Sequence, residues 1–148
     1  MPRHAAPASF ERLIAVKASP RHVWRFLTDV ELMKAWMGEP EMALEIETTW
    51  AVGSRIAISG FHHAAFQNSG TVVAFEPDER LAYTHLSSLS RLPDRPENHT
   101  TLEFLLTPGD DGTSLAFGAS GFPTVSIFKH LEFYWRGTLE ILRQHLER

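Results

Sequence analysis

The stretch "TVSIFKHLEFYWRGTLEILRQHLE", Thr124 to Glu147, repeats its apolar residues at the period of an α-helix. Phe128, Leu131, Trp135, Leu139, Leu142 and Leu146 fall on one stripe, while Lys129, Glu132, Arg136, Glu140 and Arg143 lie largely off it. Gly121 and Pro123 separate this segment from what precedes it. A helix this apolar on one side needs a second layer to cover it. Gly137, inside the helix, costs about 1 kcal/mol relative to alanine, so the sequence predicts a close approach of another element there.

The middle of the chain supplies the covering layer. In "MALEIET", Met42, Leu44 and Ile46 alternate with Ala43, Glu45 and Glu47, the pattern of a strand buried on one face. "SRIAIS", "AFQNSGTVVAFE", "RLAYTHL", "TTLEFLLT" and "TSLAFGAS" continue the run, separated by turn chemistry such as "EPDE" and "PGDDG". Consecutive strands with short connections imply an antiparallel meander. Between Leu86 and Thr100 the sequence reads as a mobile loop.

The front of the chain adds a strand, "FERLIAVK", and then "ASPRHVWRFLTDVELMKAWMG". Ser19 caps a short helix with Pro20 at its first position, and Thr28 or Asp29 caps a second that carries Leu32, Met33 and Trp36 before Gly38 and Pro40 end it. The expected fold is therefore α+β: a curved antiparallel sheet wrapped around the long C-terminal helix, with the two short helices plugging one end of the groove.

Composition narrows the function. At 148 residues the chain fits one domain, read as residues 10–148 behind a loose tail at 1–9. A net charge of -4 with scattered arginines offers no basic field for nucleic acid. No apolar run approaches the ~20 residues of a membrane span, and the first residues lack a secretory pattern, so the expected location is the cytoplasm. With no cysteine, disulfides, thiolate nucleophiles and cysteine-ligated metals are excluded.

Eight histidines invite a metal reading, but His62 and His63 on one strand would point to opposite faces, and His130 and His145 show no partner in the sequence. No metal or cofactor is expected. A nucleophile elbow is absent, and Glu45 and Glu47 read as a solvated strand face. His85 differs: it shares a strand face with Leu81 and Tyr83, where a neutral imidazole could orient a ligand or act as a general base, or simply be a satisfied core histidine.

The motifs "ASPRHVWRFLTDVELMKAWMG", "AVGSRI", "GTVVAFEPDERLAYTH", "TTLEFLLTPGDDGTSLAFGASGF" and "YWRGTLEILRQHLE" resemble the START-like or Bet v 1-like (SRPBCC) superfamily, with its helix-grip fold. Within it the chain is most similar to the bacterial family named after the activator of Hsp90 ATPase. It departs from the family's usual pattern at Val30, where proline is common, at His85, where tryptophan is common, and at Ala119, where histidine is common. The resemblance implies a range of roles, from hydrophobic ligand carriers and polyketide cyclases to stress-response proteins and chaperone partners.

The leading expectation is binding of a small hydrophobic or amphipathic molecule, lipid, steroid-like or polyketide-like, in a cavity between sheet and helix. Trp36, Tyr83, His85, Phe104, Phe117, Phe128, Leu131 and Trp135 are the candidate lining. The alternatives are a cyclase- or hydratase-like enzyme using the same cavity, and a chaperone-linked interaction protein. The chain is expected to act as a monomer or a homodimer.

Overall fold

A computed structural model describes residues 6–148. Residues 1–5, part of the expected tail, lie outside the described residues. The elements are β1 (Ser9–Val16), α1 (Pro20–Thr28), α2 (Val30–Met37), β2 (Glu45–Thr48), β3 (Arg55–His62), β4 (Ala64–Glu76), β5 (Arg80–Ser87), β6 (Thr100–Gly109), β7 (Gly112–Ser120) and α3 (Val125–Leu146).

Each helix begins where the sequence offers a cap. The Ser19 side chain accepts from the His22 N–H, Asp29 accepts from Glu31 and Leu32, and Thr124 accepts from Ile127. Asp29, rather than Thr28, caps α2; the Thr28 hydroxyl instead donates to the Trp24 carbonyl at 2.8 Å. Met42 lies outside β2, in a 3-10 turn spanning Pro40–Met42, because the chain turns through Ala43 at φ 50° before the strand starts.

All seven strands form one curved antiparallel sheet in the order β1-β7-β6-β5-β4-β3-β2. The meander β2 to β7 follows chain order, and β1 closes the far side by pairing with the last strand, Ile14 opposite Leu115. Alternation sends one face inward, where Ile56, Val72, Leu81, Tyr83, Leu102, Phe104, Leu115 and Phe117 are buried beneath α3.

The sheet bends at β4. The β4–β5 register shifts between Val72 and Ala74, which leaves Val73 as an extra, exposed residue. Just before it, a Cβ on Gly70 would sit 1.7 Å from the Thr84 carbonyl oxygen, so only glycine fits. The Thr71 N–H turns to the Thr84 hydroxyl at 2.9 Å.

The α3 stripe packs as its spacing predicts, with Leu131, Trp135, Leu139, Leu142 and Leu146 buried. Gly137 is a correction. It faces outward, and beyond its own helix backbone a side chain there would meet no atom of the described residues within 4 Å, so no described element approaches it.

Candidate functional site on the concave face

The space between α3 and the sheet is filled by aromatic rings. Trp135 stacks on Phe117 at 4.6 Å between ring centres and meets Phe104 edge-on at 5.7 Å. Trp36 reaches Trp135 from α2 at 6.2 Å, and Tyr83 extends the row to Phe104 at 6.3 Å. Such pairs add about 0.5–1.5 kcal/mol each beyond the area they bury. Leu131 is buried in the same core. Six of the eight candidate residues therefore converge: Trp36, Tyr83, Phe104, Phe117, Leu131 and Trp135.

The short helices are tied to this core through the polar tips of aromatic side chains. Trp36 Nε1 donates to the Phe26 carbonyl at 2.8 Å, Trp50 Nε1 to Thr28 at 2.7 Å, and the Tyr134 hydroxyl to Met37 at 2.5 Å. Burial pushes the Tyr134 phenol up to about 12, so it stays a donor.

Phe128 lies apart from the six. It sits half-buried at the start of α3 with Phe10 at 6.0 Å and Phe122 at 5.1 Å, an aromatic clasp between β1 and the helix that reaches the central cluster only through Phe10, 5.9 Å from Phe117.

His85, the eighth, is half-buried and lies two residues beyond Tyr83 on β5. The two border a narrow crevice of about 10 Å³ that is also lined by Ile56, Ile58, Asn68, Ser69 and Thr84. That space suits about one water molecule, far below the roughly 300–1,000 Å³ of a typical ligand pocket. Their backbones pair with β6, Tyr83 opposite Leu102 and His85 opposite Thr100, while neither side chain is hydrogen-bonded to a described residue. Burial pushes the His85 imidazole down to about 4, and the nearby His130 and His99 rings act in the same direction. Burial and the neighbouring Tyr134 raise the Tyr83 phenol well above its ordinary value. At neutral pH the crevice is thus bordered by a neutral imidazole and an intact phenol.

A second depression lies on the outer face of the sheet. It measures about 440 Å³ and is bordered by Arg55, Ser69, Thr71, Thr84, Asp94 and His99. His99 and Asp94 form a pair at 2.6 Å between Nε2 and Oδ1, which leaves the buried Nδ1 of His99 without a partner among the described residues. Sequence reasoning missed this pair because it lies in the segment read as a mobile loop. That segment in fact carries two 3-10 turns, Ser88–Ser90 and Pro96–Asn98, held by bonds such as Asn98 Nδ2 to the Pro93 carbonyl. The run of Ser, Asp and Asn in "SSLSRLPDRPENH" was the available signal.

His62 and His63 do not sit on opposite strand faces. His63 occupies the hairpin turn at φ 65°, and the two rings meet edge-on at 4.5 Å. Among the described residues, no group of three or more His, Asp or Glu side chains converges to hold a metal ion.

Comparison with known proteins places the whole architecture. The family model described as "Activator of Hsp90 ATPase homolog 1-like protein" matches residues 17–147. A Chromobacterium violaceum protein of 20% identity superposes with a TM-score of 0.80, covering 96% of this chain and 99% of that one. A Cytophaga hutchinsonii protein, 26% identical, gives 0.78 over 96% of this chain and 95% of that one. The Aha1 dimer of Colwellia psychrerythraea, 23% identical, gives 0.75 over 95% and 97%. Among curated proteins, none matches.

Proposed function

The chain belongs to the activator of Hsp90 ATPase homolog 1-like family, and from that premise we propose that it binds a small hydrophobic or amphipathic molecule on the concave face of the sheet, with Tyr83 and His85 as its polar contacts. The observation that carries this reading is the crevice itself. Two side chains capable of hydrogen bonding border one crevice of the sheet, neither bonded to another described side chain, and Tyr83 continues from there into the row of aromatic rings. A ligand hydroxyl or carbonyl entering the crevice would give the phenol and the imidazole the hydrogen-bond partner that no described side chain supplies.

Because the crevice holds only about one water, binding entails moving its walls apart. Part of the energy from desolvating the ligand, roughly 25 cal/mol per Å², is spent on that opening. The proposed ligands are accordingly those with a compact apolar body and one hydrogen-bonding group.

Quenching of tryptophan fluorescence by a panel of such compounds tests the proposal. His85→Ala is expected to cost about 1–3 kcal/mol for ligands carrying a hydrogen-bonding group and little for plain hydrocarbons. Phe104→Ala should weaken both kinds alike. If no compound binds the native chain at micromolar concentration, the ligand-binding reading fails. Cytoplasmic location and homodimeric assembly complete the proposal; they rest on the absence of cysteine and on the relative that is itself a dimer.

A further inference from the structure

Gly137 sits in the middle of α3 on its outer side, with open space where a side chain would be. Packing within the chain therefore does not account for a residue that weakens a helix interior. Four residues before it on the same side lies Phe133, 78% exposed, and four residues after it lies Ile141, 45% exposed. The buried core includes the inward stripe of α3 and neither of these two residues, which with Gly137 make an outward stripe.

We propose that the outward stripe is the surface on which two copies of this chain meet, their α3 helices crossing antiparallel at Gly137. This deepens the homodimer reading above by naming its interface. The stripe's own arrangement points to a second copy as occupant. A two-fold axis at the crossing brings residues equally far before and after Gly137 opposite each other, so Phe133 of each copy meets Ile141 of the other. The bare glycines let the helix axes approach closely enough for ring and aliphatic chain to interdigitate. An isologous contact requires this self-complementarity.

Charge agrees with the same geometry. At 3.6 residues per turn, Arg136 and Glu140 lie on one flank of the stripe, both exposed. The two-fold axis keeps that flank on the same side in both copies and sets each Arg136 beside the second copy's Glu140. Two symmetric ion pairs result. In the isolated chain the same groups pair along the helix, Arg136 with Glu132 at 3.5 Å and Glu140 with Arg143. One helix face is smaller than the roughly 1,200–2,000 Å² of a stable interface, which makes this a weak, concentration-dependent dimer.

Sedimentation equilibrium of the full chain from micromolar to millimolar concentration provides the test, together with disulfide trapping. The chain has no cysteine, so Gly137→Cys introduces its only thiol at the crossing point. We expect a dissociating dimer whose dissociation constant rises at least tenfold in Phe133→Glu. Gly137→Gln should weaken the dimer while raising the monomer's melting temperature, since glutamine is the better helix former and meets open space. Gly137→Cys should cross-link under mild oxidation, whereas Lys129→Cys, two turns away, should not. A monomer at every concentration would overturn both the homodimer reading and this interface. A dimer unmoved by Phe133→Glu and not trapped through Gly137→Cys would overturn the interface alone.

Discussion

Around Trp135 the concave face is packed and its polar atoms are largely used, whereas around His85, on the same face, space and hydrogen-bonding capacity are left over. At the first place, Trp36, Phe104 and Phe117 surround the indole, and Trp36 and Tyr134 each spend their polar atom on a backbone carbonyl of the short helices. At the second, Tyr83 and His85 border a crevice and neither side chain is hydrogen-bonded to a described residue. The first place holds the fold together. The second keeps two hydrogen-bonding side chains free of partners among the described residues, and a bound molecule could engage them.

The largest expected effect tests the packed side. Trp135→Ala removes the ring that links helix, plug and sheet, and should cost about 3–5 kcal/mol in denaturant unfolding. A loss below about 1 kcal/mol would mean that the two regions do not differ in the way their packing indicates.

Next comes the pH dependence of the His85 side. The imidazole is held at about 4 in the folded chain, against 6.5 when exposed, so the unfolded chain binds the extra proton more readily. Its contribution to stability is therefore complete above about pH 6.5 and is lost as the pH falls toward 4, amounting to about 3 kcal/mol. His85→Gln should flatten that part of the profile. An unchanged acid slope in the variant would show that His85 is not the titrating group.

Tyr134→Phe should cost about 1–2 kcal/mol, because the Met37 carbonyl loses its donor while the ring is retained. Thermal unfolding would show whether the tie between α3 and α2 carries that much. The smallest effect belongs to Thr100→Val, opposite His85 on β6. The threonine hydroxyl reaches the Gly121 carbonyl only at 3.5 Å, so its loss should stay below about 1 kcal/mol. A larger loss would mean that the His85 side is more tightly built than its geometry indicates.

Local pattern was enough for most of the architecture. The period of 3.6 in Thr124–Glu147, the alternation in the strands and the Ser19 and Asp29 caps each depend on neighbours within a few residues, and each is realised. "LAYTH" put Leu81, Tyr83 and His85 on one side of β5 by alternation, but burial along the strand does not alternate: Ala82 and Leu86 on the other side are buried too, and His85 is only half-buried. His63 escaped the same rule because it is a turn residue with positive φ, and nothing in the pair of histidines marks where the strand stops.

By itself the sequence determined the elements, their order and the inward face of each, because these follow from periodicity and capping along the chain. Only the tertiary structure decided that the aromatic residues pack against one another between helix and sheet, that Tyr83 and His85 border a crevice of only about 10 Å³, that Phe128 meets the central cluster only by way of Phe10, and that Asp94 and His99 pair across a loop. It also decided that Gly137 faces open space. The physical reason is the same in each case: how much room remains between two layers depends on side chains far apart in sequence competing for one volume, and no local pattern records the outcome.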